Sequence, residues 1–242
     1  MTTALHGISD MPQKSTLRSN VRAVRRRLFE LLGSDRYSRP GQFDIEAKLA
    51  RYMPFSGGTF VEAGANDGFT QSNTYWLEIF RGWKGILVEP NPALATECRR
   101  NRPNTHFVNA ALVADRSIRE ITIATAGLRG YVVGSFANTK HEAYHRKVAA
   151  EDEKIEVQDI CVPARTLESI IEETNFNEID LLSLDVEGYE LEVLRGMNVN
   201  RYRPTYMLIE GLSPDVILSA LGDYYEFIEK ITPQDLLFRA KS

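Results

Sequence analysis

The chain has 242 residues, which suits one α/β domain with short additions, and its formal net charge of −4 gives no overall indication of nucleic-acid binding. No apolar run approaches the roughly 18 residues that a membrane-spanning helix needs, and the two cysteines form no CxxC motif. We therefore expect a soluble cytoplasmic protein with free thiols and without a zinc knuckle.

The first 55 residues are predicted to be an extension that contains one basic amphipathic helix. Leucines and valines recur at helical spacing over 17–32, arginines fill the positions between them, and Gly33 is a plausible stop. We expect this helix either to dock on the domain edge or a partner subunit, or to contact an anionic membrane surface. The sequence does not determine the oligomeric state.

Residues 56–242 are predicted to form a single Rossmann-like domain. Short apolar strands are predicted at 59–63, 85–89, 106–112, 118–124, 179–184, 205–210 and 225–231. Helices are predicted at 70–80, 93–101, 166–174, 189–196 and 214–221. This alternation is typical of a doubly wound, mostly parallel sheet. The strand at 118–124 is expected to be antiparallel or outside the main sheet, and 127–158 an irregular insertion.

The turn after the first strand is the most informative segment, and it contains Glu62, Gly64, Asn66, Asp67 and Gly68. A glycine there lets the backbone pass close to a ligand, and open α/β sheets bind ligands beyond the carboxyl ends of their strands. Acidic residues on both sides of the first glycine would repel a pyrophosphate. A carboxylate instead suits an ammonium group, so the turn favours S-adenosylmethionine over NAD, and an oxidoreductase is the alternative.

Two more strand ends complete the predicted cofactor site. Glu89, followed by Pro90, ends the second strand and is placed to accept hydrogen bonds from both hydroxyls of a ribose. Asn109 and Ala110 lie at the end of the third strand, where an adenine is expected. The alternatives are that Glu62 caps a helix, that Glu89 is a surface acid, and that Asn109 closes a turn.

With these residues the sequence resembles the FkbM-like family of S-adenosylmethionine-dependent methyltransferases, from about residue 60 to 210. The most specific segment is 179–190, with the Leu-Arg-Gly triplet 194–196 behind it. Shorter matching segments lie at 62–68, 72–74, 88–91, 109–112 and 165–167. The resemblance implies a class I methyltransferase sheet, adds Asn73 to the cofactor-binding residues, and implies that a sugar or polyketide-type hydroxyl is methylated. Length and basic helix are similar to those of members that methylate the 2-hydroxyl of fucose in nodulation-type lipo-chitooligosaccharides.

The acceptor side is predicted from the end of the strand at 179–184. Methyl transfer to a hydroxyl requires an aligned nucleophile that loses its proton. Asp185 follows the strand and Glu187 lies in the same turn. The two carboxylates are predicted either to hold Mg²⁺ or to act as base and orienting group. The alternative is that they cap the next helix.

The segment 141–145 reads HEAYH, which matches the H-E-x-x-H zinc motif when it lies on a helix. A zinc peptidase would leave the cofactor motifs without a role. His141 and His145 are therefore predicted to act as a general base or acceptor contact, or to lie exposed on a mobile lid. A non-catalytic nucleotide-binding module and a methyltransferase of a non-sugar hydroxyl remain as rival hypotheses.

Overall fold

The computed structural model describes residues 16–126, 129–135, 139–153 and 156–242. The chain divides into two compact units, Met1–Ser38 and Arg39–Ser242. The second unit therefore begins earlier than the boundary that we predict at residue 56. The reason is that Ile45, Leu49 and Met53 are buried in the hydrophobic core of that unit.

The first unit contains helix α1 (Thr16–Leu31), which ends where the sequence predicts. Gly33 adopts a positive φ of 74°, and its N–H donates to the carbonyl of Glu30 (2.9 Å). The apolar side chains with more than half of their surface exposed are Val21, Val24, Leu28, Leu31 and Leu32. Nowhere in the described ranges is there a helix with the length and apolar character needed to cross a bilayer.

The second unit contains eleven described strands. They are β1 (Thr59–Ala63), β2 (Lys84–Val88), β3 (His106–Val108), β4 (Ala111–Leu112), β5 (Glu120–Ala126), β6 (Arg129–Val132), β7 (Gln158–Arg165), β8 (Leu181–Leu184), β9 (Tyr206–Glu210), β10 (Tyr225–Lys230) and β11 (Asp235–Ala240). Seven form the main sheet in the order β10-β11-β9-β8-β1-β2-β3. All neighbours are parallel except β11, which is antiparallel to both β9 and β10. The mostly parallel α/β fold is confirmed, whereas β11 is missing from the predicted elements.

Helices connect these strands. They are α2 (Ile45–Leu49), α3 (Tyr75–Arg81), α4 (Pro92–Asn101), α5 (Thr139–Glu153), α6 (Leu167–Ile171), α7 (Glu190–Arg195) and α8 (Pro214–Leu221). Helix α3 begins at Tyr75 and not at residue 70. The side chain of Asp67 accepts hydrogen bonds from the N–H groups of Phe69 and Thr70 (2.8 and 2.6 Å), which holds that segment in a turn.

A second sheet, in the order β4-β7-β5-β6, lies outside the main sheet, as predicted for the strand at 118–124. Strand β5 is antiparallel to both β6 and β7. The insertion at 127–158 is more regular than predicted, because it contributes β6 and α5. Strand β6 forms because it pairs with β5, and the glycine-rich sequence of this segment does not indicate that pairing.

The strand order of the main sheet indicates where a ligand would bind. From β1 the chain builds β2 and β3 on one side and then continues with β8 and β9 on the other side. Both faces of the central strands are buried, with separate hydrophobic clusters around Leu182 and Leu181. The carboxyl ends of β1 and β8 form a topological switch point, where doubly wound sheets bind their ligands.

Candidate active site

A cavity of about 340 Å³ lies at this switch point. Its lining includes residues that directly follow the central strands: Gly64 after β1, Glu89 after β2 and Asp185 after β8. The second sheet contributes Thr125 and Tyr131. The cavity thus brings the predicted cofactor side and the predicted acceptor side into one space.

The predicted cofactor residues fall into two groups. Those that line the cavity are Gly64, Asn66, Glu89, Pro90 and Ala110. Those that support its walls from behind are Glu62, Asp67, Gly68, Asn73 and Asn109. The first group is placed to contact a ligand directly, and the second acts through the backbone that it holds.

Gly64 is required by the contact between two strand ends. Its φ is 85°, and a Cβ at this position would lie 1.8 Å from the carbonyl oxygen of Asp185. Any side chain here would therefore separate the turn after β1 from the end of β8. The glycine was predicted for close approach of a ligand, and the structure adds this backbone packing as a second reason.

Glu62 is a buried acceptor for the segment before α3. Its Oε2 accepts from the hydroxyls of Ser72 (2.9 Å) and Thr74 (2.6 Å), and its Oε1 accepts from the N–H of Asn73 (2.8 Å). Arg102 Nη1 lies 3.5 Å from the same carboxylate. The side chain is engaged in this way and is not part of the cavity lining, so its contact with a methionine amine stays a prediction.

Arg102 is the support residue that sequence reasoning misses. It is almost completely buried and forms ion pairs with both Glu62 and Glu78. It also donates to the hydroxyls of Ser72 (3.2 Å) and Thr74 (3.0 Å). An arginine that directly follows a polar helix is expected to be exposed to solvent. The sequence therefore gives no signal that Arg102 is buried and supports the cavity.

Glu89 lies in the cavity wall with both carboxylate oxygens engaged. Oε2 accepts from the N–H of Asn66 (2.9 Å), and Oε1 accepts from the N–H of Asn91 (2.8 Å). Burial raises the pKa of Glu89 to about 7, although these two hydrogen bonds favour the charged form. A carboxylate has further lone pairs, so it retains acceptor capacity for ligand hydroxyls.

The neighbouring amides organise the loop around Glu89. Asn109 donates to the carbonyls of Glu89 (2.7 Å) and Pro90 (3.1 Å). Its side chain therefore stabilises the turn after β2, in line with the alternative that Asn109 closes a turn. Asn91, which was not predicted, caps α4 and donates to the Thr125 hydroxyl (2.9 Å), linking the cavity wall to β5. An asparagine directly before a proline is a sequence signal for a helix N-cap, and this signal could have identified Asn91.

Two further carboxyl groups line the cavity, and they lie at the ends of neighbouring strands. Leu184 of β8 pairs with Ile209 of β9, so Asp185 and Glu210 occupy the next positions of adjacent parallel strands. Both side chains line the cavity. Burial, followed by the neighbouring Glu210, raises the pKa of Asp185 well above its ordinary value, and burial also raises the pKa of Glu210.

The turn after Asp185 is held by Glu190. Its Oε1 accepts from the N–H groups of Val186 (3.3 Å) and Gly188 (3.0 Å). The capping role considered for Asp185 and Glu187 is thus performed by Glu190. Glu187 has a positive φ of 52° and lines the cavity.

Metal ligands were predicted at Asp185 and Glu187. Across the part of the chain that the structure describes, no group of three or more histidine, cysteine, aspartate or glutamate side chains is arranged to hold a metal ion. The carboxyl beside Asp185 on the neighbouring strand is that of Glu210. His141 and His145 belong to α5, and their side chains lie outside the described residues, so their predicted roles stay predictions.

One protein-family model matches most of the chain. The family model of the methyltransferase FkbM domain matches residues 62–231. No relative was found among the curated proteins.

Solved structures with a similar chain path include methyltransferases. A TehB-like SAM-dependent methyltransferase from Corynebacterium glutamicum is 14% identical, with 94% of this chain and 100% of that chain covered and a TM-score of 0.43. TrmK from M. capricolum, in complex with S-adenosyl-homocysteine, is 7% identical, with 84% and 70% covered and a TM-score of 0.44. A ribosomal protein L11 methylase from Lactobacillus delbrueckii subsp. bulgaricus is 8% identical, with 82% and 78% covered and a TM-score of 0.45.

Proposed function

The chain belongs to the methyltransferase FkbM domain family, and we propose that the acceptor of its methyl group is a hydroxyl of a sugar. Membership makes it an S-adenosylmethionine-dependent methyltransferase. The acceptor and the methylated atom are the proposal. The observation that carries it is one cavity that is lined by Glu89 and by the carboxyl groups of Asp185 and Glu210.

The charge of the cavity suits this cofactor. Its charged lining residues are Glu89, Asp185, Glu187 and Glu210, and no lysine or arginine is among the lining side chains in the described part of the chain. S-adenosylmethionine carries a sulfonium and an ammonium, so an acidic cavity attracts it. The pyrophosphate of NAD would be repelled. This favours the methyltransferase reading over the oxidoreductase alternative.

We assign Glu89 to the ribose hydroxyls and the wall around Ala110 to the adenine. Gly64 and Asn66 would then lie beside the methionine portion. The bound cofactor would supply a methyl group on a positively charged sulfur, open to in-line attack. These assignments follow from the order of the strand ends along the switch point.

The same charges constrain the acceptor. A phosphate or carboxylate close to the transferred methyl would face several acidic side chains without a basic partner among the described lining residues. We therefore propose an acceptor group that is uncharged or cationic. The rings of Tyr131 and Tyr189 also line the cavity, and they supply the apolar surface against which a sugar ring packs.

Asp185 is proposed as the general base. The acceptor oxygen forms a bond to the methyl carbon while the carbon–sulfur bond breaks, and the hydroxyl proton passes to the carboxylate. A raised pKa makes Asp185 a stronger base than an ordinary aspartate. The sulfur leaves as a neutral thioether, so charge and atoms balance.

Fucose is the acceptor that we propose first, at its 2-hydroxyl within a lipo-chitooligosaccharide. It is a neutral deoxysugar, as the acidic lining requires. The rival is a small non-sugar hydroxyl compound. A mass-spectrometric screen with methyl-labelled cofactor distinguishes them: labelled fucosides support the proposal, and labelling of non-sugar alcohols alone refutes it.

The same screen tests the predicted magnesium. If Asp185 and Glu187 hold Mg²⁺, then EDTA abolishes turnover and added Mg²⁺ restores it. Turnover that is unaffected by EDTA would assign the base role to protein side chains, with His141, His145 and Asp185 replaced singly.

We also propose that α1 contacts an anionic membrane surface from the cytoplasm. Within Thr16–Leu31 there are five arginines and a single glutamate, and the exposed apolar side chains of this helix include Val24 and Leu28. The free thiols Cys98 and Cys161 support a reducing compartment. Flotation with phosphatidylserine vesicles should capture the protein, and Arg22→Glu with Arg25→Glu should abolish capture. Equal capture by phosphatidylcholine vesicles would contradict the electrostatic argument.

A further inference from the structure

We infer that Gln42 and Gln234 form an acceptor-binding subsite in the cavity, where their side-chain amides bind hydroxyls of the acceptor other than the one that is methylated. This inference rests on the proposed function, because it concerns the binding of the same acceptor. Both residues lie outside the stretch 62–231 that matches the family model. They are therefore positions at which this chain sets an acceptor preference of its own.

The strand order separates this subsite from the cofactor positions. The main sheet runs in the order β3-β2-β1-β8-β9-β11, so β9 and β11 lie beyond the strands whose ends we assign to the cofactor. Strand β11 is antiparallel to β9, with Asp235 opposite Glu210. Gln234 precedes β11 and thus lies at the carboxyl edge, beside the end of β9. The cofactor assignments leave this end of the cavity lining for the acceptor.

The turn between β10 and β11 fixes the backbone of Gln234. Its carbonyl accepts from the N–H of Gly211 (3.3 Å), and its N–H donates to the hydroxyl of Thr232 (3.1 Å). The same hydroxyl accepts from the N–H of Asp235 (2.9 Å) and donates to the Asp235 carboxylate. Thr232 and Asp235 are buried. Because the backbone groups of Gln234 are engaged, its side-chain amide is the group that a ligand would contact.

The turn before α2 fixes Gln42. The N–H of Gly41 donates to Oε1 of Glu46 (2.8 Å), which is a buried residue of α2. A Cβ at Gly41 would lie 2.4 Å from a side chain of the same helix, so the turn packs closely against it. Phe43 and Asp44 follow with φ values of 55° and 56°. Such left-handed residues cost energy and cluster at functional sites, and here they hold the turn that places Gln42 in the cavity lining.

The chemistry of the two amides suits an uncharged acceptor with several hydroxyls. Both glutamines line the cavity, and neither side-chain amide has a hydrogen-bond partner among the described residues. A glutamine amide has two N–H donors and an oxygen acceptor, so it binds a hydroxyl in either sense without adding charge. The ionised carboxylates of the lining only accept hydrogen bonds. The glutamines therefore supply the donors that a ring with several hydroxyls needs.

Steady-state kinetics with a neutral fucoside and methyl-labelled S-adenosylmethionine test the subsite. Gln42→Met and Gln234→Met keep the length of the side chain and remove its hydrogen bonds. Each should raise KM for the fucoside roughly three- to tenfold and change kcat little, because the lost contact is made equally in the ground state and the transition state. In the double variant the two increases should multiply, since the residues belong to separate segments of the chain.

Two controls accompany these variants. Asn200→Leu removes an exposed amide in the connection between α7 and β9, at the opposite edge of the sheet, and should keep the wild-type KM. Calorimetric affinity for S-adenosylmethionine should stay within about twofold of wild type in both glutamine variants, which also confirms that they are folded. If either variant weakens cofactor binding as much as it raises KM, that glutamine belongs to the cofactor site and the subsite is refuted.

The outcomes separate this inference from the proposed function. If an acceptor screen identifies only a non-sugar compound, and both variants raise KM for that compound at unchanged cofactor affinity, the proposed function fails and the subsite stands. If the fucoside is methylated on oxygen but both variants keep the wild-type KM, the subsite is refuted and the proposed function stands.

Discussion

Cofactor binding should depend on pH through Glu89. Its carboxyl is buried beneath the proposed ribose position, and burial raises the pKa of Glu89 from its ordinary value of 4.5 to about 7. Only the ionised form can accept hydrogen bonds from two ribose hydroxyls through both oxygens. We therefore expect affinity for S-adenosylmethionine to increase as the pH rises through 7.

The size of the effect follows from the ionised fraction. With a pKa of about 7, roughly a tenth of Glu89 is ionised at pH 6 and roughly nine-tenths at pH 8. Apparent affinity scales with the competent fraction, so binding should be about tenfold weaker at pH 6 than at pH 8. Binding near pH 7 should also release protons, which calorimetry in buffers of different ionisation enthalpy detects.

The stability of the cofactor-free protein should change in the opposite direction. The pKa of Glu89 in the folded state lies above its value in the unfolded state. The protonated carboxyl therefore contributes fully to the free energy of unfolding below about pH 4.5, and this contribution is lost as the pH rises through 7. The ionised form of Glu89 disfavours folding by roughly 3 kcal/mol at most.

The matched variant is Glu89→Gln, which keeps the shape and removes the titration. It should bind cofactor at least about 1.5 kcal/mol more weakly at pH 8, the scale of one charge-assisted hydrogen bond, and lose the tenfold pH dependence. A wild-type protein with equal affinity at pH 6 and pH 8 would refute the ribose assignment. So would a Glu89→Gln variant that keeps the wild-type pH dependence.

Two substitutions test the support of the cavity. Arg102→Met should lower the free energy of unfolding by about 3–5 kcal/mol in urea, because the buried Glu62 and the partly buried Glu78 lose their ion-pair partner. Arg195→Met, which breaks the surface pair with Glu192, should change it by less than about 1 kcal/mol, and equal losses would contradict the burial argument. Gly64→Ala should destabilise far more than Gly134→Ala. Both glycines have φ near 80°, but only the first would place its Cβ against backbone, so similar denaturation curves would refute the packing reason.

The sequence predicts the site best where a local pattern determines position. Glu89 and Asp185 directly follow apolar strands, and strand ends meet at one edge of a parallel sheet, so their placement in the cavity could be anticipated. Glu210 also ends a predicted strand. Its partnership with Asp185 depends on which strands are neighbours and in what register, and the sequence does not specify that.

The sequence is less informative where long-range contacts determine the environment of a residue. Glu62 has the pattern of a ligand-binding acid, yet its acceptor sites are used by the segment before α3 and by Arg102, a residue forty positions later in the chain. Strand β11 was missed because its buried apolar run is short and lies close to the end of the sequence. Its order comes from pairing with β9 and β10.

The central claim is that this methyltransferase places its methyl group on an uncharged sugar hydroxyl. The most direct measurement is tandem mass spectrometry of products made with methyl-labelled S-adenosylmethionine from a neutral fucoside, an amino sugar and a sugar phosphate, assayed in parallel. The account predicts an oxygen-linked labelled methyl on the fucoside and none on the phosphate, because the described charged lining of the cavity is acidic. A methyl on nitrogen or carbon, or preferential methylation of the sugar phosphate, would contradict it.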